Sequence, residues 1–207
     1  MGRESGNFRR LRRWIILVVL LSGLLAACDA WRTHRENSQD KVILAAAARY
    51  GVDPALVKAV VWRESWFDPW AKGRAGEIGL MQVGESAARE WADAEHLSLF
   101  THSQLFDPAK NTRAGSWYLN RLLQRYAATD NPLPYALAAY NAGQANVLKW
   151  TQGAAATNSA LFIGQIGFPI TRSYVKTVLE RFAHYRPAFP PPSERDNPQT
   201  RTNFTAH

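Results

Sequence analysis

Three Asx-Pro pairs constrain this chain before anything else does. Asp53-Pro54, Asp107-Pro108 and Asn131-Pro132 each open a stretch of helical apolar spacing. A short side-chain oxygen that can cap, followed by Pro at the first helical position, is a helix start. The spacing predicts helices over 54–65, from 108 to about 127, and over 133–142 with a stop at Gly143. Gln39–Tyr50 is Ala-rich and closes at Gly51, a residue suited to a helix C-cap. Shorter helices are expected over 144–150 and, with Thr171 as N-cap, over 172–184. There is no alternating strand pattern and no internal repeat, so the expected fold class is all-α. Segments 66–84 and 151–170 are Gly-rich and polar, longer than ordinary connections, and long loops in a compact domain tend to carry function.

The first 28 residues read as a targeting segment. Arg3, Arg9, Arg10, Arg12 and Arg13 precede an apolar run from Trp14 to Ala27, which is shorter than the roughly 20 residues of a comfortable bilayer span. Leu25-Ala26-Ala27-Cys28 resembles a bacterial lipobox, which implies lipidation of Cys28 and membrane anchoring on the periplasmic side of an exported protein. The other reading is a plain signal anchor with an incidental Cys. Asp29 resembles an inner-membrane retention signal. Residues 29–39 are polar and read as a tether; 187–207, with five Pro and few apolar residues, read as a disordered tail.

Charge and composition exclude several functions. Half of the formal net charge of +8 lies in the leader, so the folded part has little basic excess and no nucleic-acid motif. It would still suit an anionic polymer. A single Cys excludes an intramolecular disulfide or a multi-Cys zinc site, and the five His form no His-Glu-x-x-His block. Neither metal nor cofactor is expected.

One residue breaks the pattern of its helix. The apolar stripe Val57, Val60, Val61 leads on the same face to position 64, which is Glu64. That carboxylate also sits in the last turn, where the helix dipole disfavours negative charge. Desolvation and dipole together raise its pKa, and an acid still protonated near neutrality can donate a proton in catalysis. The bland alternative is a Glu that turns to solvent or pairs with Arg63 or Arg74.

The surrounding blocks bear on that choice. Glu64-Ser65-Trp66-Phe67-Asp68-Pro69, then Gly79-Leu80-Met81-Gln82, then Ala138-Ala139-Tyr140-Asn141-Ala142-Gly143 follow in order. Leu105-Phe106-Asp107-Pro108 with Asn111 and Ala114-Gly115, and Thr171-Arg172-Ser173-Tyr174-Val175, stand between and after them. Together they resemble the catalytic domain of the lysozyme-like lytic transglycosylases over roughly 40–186. The resemblance implies a helical lysozyme-like lobe with a cleft, and peptidoglycan glycan strands as substrate, cut between N-acetylmuramic acid and N-acetylglucosamine. Carried over by position, Glu64 is the catalytic acid. Gln82 contacts substrate, Tyr140 orients Glu64 or the muramoyl residue, and Asn141 supports the cleft wall or an N-acetyl group. Met81, Tyr174 and Trp66 are further cleft candidates, although Met81 and Tyr174 also suit a core. Trp70 is a sugar-stacking candidate in the loop, whereas Trp117 suits the core.

The implied chemistry needs one carboxyl group, unlike ordinary glycosidases with two. Glu64 would protonate the leaving oxygen and then, as a base, draw the C6 hydroxyl onto C1 to close a 1,6-anhydro ring. Two positions depart from the family pattern: Gly73 stands where a Ser is common, and Ile170 where an acidic residue is common. Two other readings stay open. One is a goose-type lysozyme, for which Asp68, Glu77 or Glu85 would position water. The other is an inactive peptidoglycan-binding lipoprotein.

Overall fold

A computed structural model describes residues 4–189, and the chain divides into two compact units between Ser38 and Gln39. The first unit contains one helix, α1 (Glu4–Asn37). It runs without a break through the apolar leader and through the residues assigned above to a polar tether. No Gly or Pro between Asp29 and Asn37 stops it. Its most apolar 18 residues have a mean hydropathy of 2.1, enough to cross a membrane by length and composition, a test that a signal sequence also meets. Cys28 is exposed on it.

The second unit is all helix and loop. It comprises α2 (Asp40–Tyr50), α3 (Pro54–Ser65), α4 (Glu85–Ala94), α5 (Pro108–Arg125), α6 (Pro132–Ala142), α7 (Gln144–Trp150), α8 (Ser159–Gln165) and α9 (Pro169–Tyr185). Short 3-10 turns cover His102–Phe106 and Gly153–Ala156. Among the described residues the only β pairing is two isolated bridges, Lys72 with Ile78 and Ile78 with Val83.

The three Asx-Pro starts do what their chemistry dictates. Asp53, Asp107 and Asn131 each accept a backbone N–H of the first turn, from Ala55, Lys110 and Leu133, and Pro follows at once. The helix α3 is the centre of the unit. Every residue from Pro54 to Val61 is buried, so its first two turns are sealed on all sides, with α2 and α9 packed against it. Each of Leu56, Val57, Val60 and Val61 contributes about 1.5–3 kcal/mol by leaving water. Lys58, buried in this stretch, bonds Asp40 at 2.7 Å and lies over the rings of Tyr185 and Phe189. The helix α6 is sealed in the same way from Pro134 to Ala139, between α5 and α9.

Three expectations need correction. Thr171 is not the N-cap of α9: the helix starts three residues earlier than expected, at Pro169 after Phe168, again a Pro at the first position. The segment 151–170 is not one loop, since Asn158 caps α8 by accepting the Leu161 N–H. The helix α4 was not foreseen; its buried Ala88, Trp91 and Ala92 form a one-face stripe in only ten residues. Of the segment read as a Pro-rich tail, only 187–189 is described, with Phe189 buried; the rest lies outside the described residues.

Candidate active site

Glu64 is the point where α3 leaves the core. The helix is closed at Trp66, which takes a left-handed φ of 50° and returns its N–H to the Trp62 carbonyl. Phe67 follows at φ 62° and turns its ring into the core, 2% exposed. The chain therefore reverses directly after Glu64, and the Ser65 hydroxyl bonds the Leu80 carbonyl at 2.7 Å. One helix end and the loop carrying Gly79-Leu80-Met81-Gln82 are thus tied side by side.

That loop is built on a buried amide. Asn111, fully enclosed on α5, accepts the Met81 N–H at 2.7 Å and donates to the carbonyls of Ile78 at 2.8 Å and Leu105 at 2.9 Å. Gly79 needs its glycine twice over: its φ is 77°, and a Cβ there would sit 2.2 Å from the Asn111 amide nitrogen. Gln82 itself is held at φ 46°. Its amide nitrogen donates to the carbonyls of Gly79 at 2.9 Å and Ala71 at 3.1 Å. Both amide hydrogens are used within the loop, so what Gln82 offers a ligand is its carbonyl oxygen.

Glu64 Oε1 accepts the Tyr174 hydroxyl at 2.7 Å. Tyr174 comes from α9 and is 1% exposed. Burial pushes the Glu64 pKa up to about 7. The Tyr174 hydrogen bond and the nearby Arg63 pull it down, and the charge of Glu77 pushes it up. Arg63 lies over the Tyr174 ring rather than pairing with Glu64, and no ion pair to Glu64 occurs among the described residues. The bland alternative for Glu64 is therefore not what the structure holds. Burial also raises the Tyr140 and Tyr174 pKa values well above the ordinary tyrosine value, so both phenols keep their protons as donors.

The remaining candidates are sorted by the geometry. Tyr140 donates to the Met81 carbonyl at 2.9 Å, not to Glu64. It braces the loop, and the tyrosine that orients Glu64 is Tyr174, which the sequence placed only at the margin of the site. Met81 is corrected in the other direction. Its side chain is fully buried against Gly115, where a Cβ would meet Sδ at 2.4 Å, so it does not line the cleft. Asn141 is exposed and accepts the Thr171 hydroxyl at 2.8 Å, linking the end of α6 to the first turn of α9. Trp66 is half-buried as the α3 cap. Trp70 is 70% exposed and stacks on Phe106 with ring centres 5.5 Å apart. A cavity of about 300 Å³ is lined by Glu77, Gln82, Tyr118, Tyr140, Glu85 and Glu90 among others. No cluster of metal-ligating side chains exists among the described residues.

This arrangement has an acid near its midpoint at neutral pH, a buried donor aimed at it, and a cavity edged by an amide oxygen. Residues 41–163 match the profile of the Transglycosylase SLT domain. The chain belongs to that family. It is 43% identical over 110 residues to the membrane-bound lytic murein transglycosylase C of Klebsiella pneumoniae, covering 50% of this chain and 31% of that protein. It is 34% identical over 137 residues to the soluble lytic murein transglycosylase of Escherichia coli K12, covering 65% of this chain and 21% of that protein. Among solved structures it resembles lytic transglycosylase Slt of Pseudomonas aeruginosa with a TM-score of 0.64 and 28% identity, over 70% of this chain and 23% of that one. The chain thus spans a third or less of the length of these relatives. Within the SLT family match lie α2 to α7 and most of α8; α9, which supplies Tyr174, lies beyond it.

Proposed function

We propose that this chain is a peptidoglycan lytic transglycosylase that cleaves the β-1,4 bond from N-acetylmuramic acid to N-acetylglucosamine without consuming water. The single observation that carries this reading is the half-buried Glu64, held by Tyr174, with a pKa of about 7. Near neutrality such a group is present in both forms, so it can give a proton and take one back. Protonated Glu64 donates to the glycosidic oxygen as the C1–O bond breaks. The muramoyl N-acetyl group carries the positive charge that develops at C1, a substrate-assisted course. The C6 hydroxyl then attacks C1 and returns its proton to ionised Glu64, which leaves a 1,6-anhydro ring and a regenerated acid. Proton transfer of this kind supplies typically about 10²–10⁴-fold, and positioning in the cleft supplies much of the remainder.

The names of the relatives support murein as substrate class, and the Pseudomonas aeruginosa neighbour was solved as an inactive mutant with a glutamate changed to glutamine. We read residues 1–27 as a signal peptide removed on export, and the exposed Cys28 as the lipidated residue that then tethers the catalytic unit to the membrane on the periplasmic side.

The test is mass spectrometry of the muropeptides that the full chain releases from purified sacculi. Products in the anhydro form, one water lighter than hydrolytic ones, support the proposal. Reducing ends would replace it by the goose-type lysozyme reading, for which Glu77 and Glu85 are the candidate carboxylates at the cavity. Binding to sacculi with no release would leave the inactive binding-protein reading.

A further inference from the structure

The side chains that line the cavity at Gln82 are short of hydrogen-bond donors. Glu77, Glu85 and Glu90 bring carboxylates, which when ionised only accept. Gln82 has both amide hydrogens committed, to the Gly79 and Ala71 carbonyls, so it too accepts. Tyr140 spends its hydroxyl proton on the Met81 carbonyl. Two lining hydroxyls remain, those of Ser86 and Tyr118. Ser86 sits exposed in the first turn of α4. Tyr118, on α5, is half-buried, and its hydroxyl is open to solvent and bonds no other described residue.

The ring under that hydroxyl is held in place. It packs against the Tyr140 ring with centres 5.7 Å apart and planes tilted by 54°, so the two phenols form one aromatic side of the cavity. That side is tied to the acid through two consecutive carbonyls. Ser65, next to Glu64, donates to Leu80, and Tyr140 donates to Met81.

Sugar hydroxyls can serve the many acceptors here by donating to them. A carbonyl cannot, and one that enters such a cavity without a donor loses its water uncompensated. An N-acetyl sugar carries one amide, with an N–H to give and a C=O to satisfy. The N–H suits the Gln82 oxygen, and the C=O calls for a hydroxyl.

We infer that Tyr118 is a substrate-binding residue, which donates its hydroxyl proton to the acetamido carbonyl of an N-acetyl sugar seated in this cavity. It moves no proton in the reaction and acts on which sugar is held. The inference rests on the proposed reading, in which a strand of N-acetyl sugars occupies the cleft.

The test is calorimetry with two neutral β-1,4 tetramers, chitotetraose and cellotetraose, which differ in carrying an acetamido group or a hydroxyl at C2. The full chain in detergent carries Glu64→Gln, so that no ligand is cut. It should bind chitotetraose roughly tenfold or more tightly than cellotetraose. Adding Tyr118→Phe keeps the ring against Tyr140 and removes only the hydroxyl. Chitotetraose affinity should then fall about three- to tenfold and cellotetraose affinity should not change. The melting temperature should stay where it was, because the hydroxyl has no partner within the chain to lose. No preference for chitotetraose before the change overturns the inference. So does an unchanged chitotetraose affinity after it, an equal loss for both tetramers, or a loss accompanied by a lower melting temperature. Failure of the transglycosylase reading shows separately, as reducing ends released from sacculi by the unaltered chain, because binding does not depend on turnover.

Discussion

Tyr174 and Glu64, 110 positions apart in the chain, meet with their oxygens 2.7 Å apart. The phenol donates and the carboxylate accepts, so the bond favours the ionised form and pulls the Glu64 pKa down against the push of burial. The acid is therefore poised by two opposed effects rather than by burial alone.

Tyr174→Phe removes only the downward pull. The Glu64 pKa should rise above its value of about 7, and the alkaline limb of the pH–rate profile should move to higher pH. Below that limb the rate should fall roughly ten- to hundredfold, because the carboxyl loses the partner that aims it. The pH dependence of muropeptide release checks both. A limb that moves to lower pH would mean that the hydroxyl does not serve the ionised form.

Much of this was legible in the sequence, and the part that was not has a physical reason. Capping chemistry is local, so three Asx-Pro pairs were enough to place α3, α5 and α6. Glu64 announced itself by standing where a valine belonged. Tyr174 did not: a tyrosine on an apolar stripe reads as core, and in burial it is core, 1% exposed. Which groove its hydroxyl reaches depends on how α9 crosses α3, and no spacing within α9 records that. The same limit misplaced Met81, whose neighbour Gln82 lines the cavity while its own side chain drops onto Gly115.

Glu64→Gln should abolish anhydro-muropeptide release, since neither proton transfer remains. It should also change stability in a pH-dependent way. The folded-state pKa of about 7 lies above the ordinary 4.5, so the folded protein binds more protons than the unfolded chain between those values. Stability therefore falls as pH rises from about 4.5 to 7, by about 3 kcal/mol at most, and the loss is complete above pH 7. The Gln variant carries no such loss. It should melt at a higher temperature than the unaltered chain at pH 8 and match it near pH 4. Equal melting temperatures at pH 8 would contradict a buried Glu64.

Asn111→Ala should be among the more damaging core changes. It leaves the Met81 N–H and the Ile78 and Leu105 carbonyls without their buried partner. At roughly 1–3 kcal/mol for an unsatisfied buried group, a total loss of about 3 kcal/mol or more is expected in denaturant unfolding. Activity should fall further than stability, since the backbone that presents Gln82 is released.

Cys28→Ala tests the membrane attachment. Radiolabelled palmitate should enter the unaltered chain and not the variant, while release of muropeptides from isolated sacculi by the detergent-solubilised proteins should be equal. Equal labelling of both would remove Cys28 as the lipid site.

Gln82 has one more consequence. Its two amide hydrogens are committed to the Gly79 and Ala71 carbonyls, so at that point the wall of the cleft is a bare lone pair. A sugar that turns a hydroxyl or an amide N–H toward it is welcomed; one that turns a carbonyl toward it meets like polarity and must rotate or leave. The loop thereby reads which edge of the sugar arrives first, through the lone pair of a neutral amide.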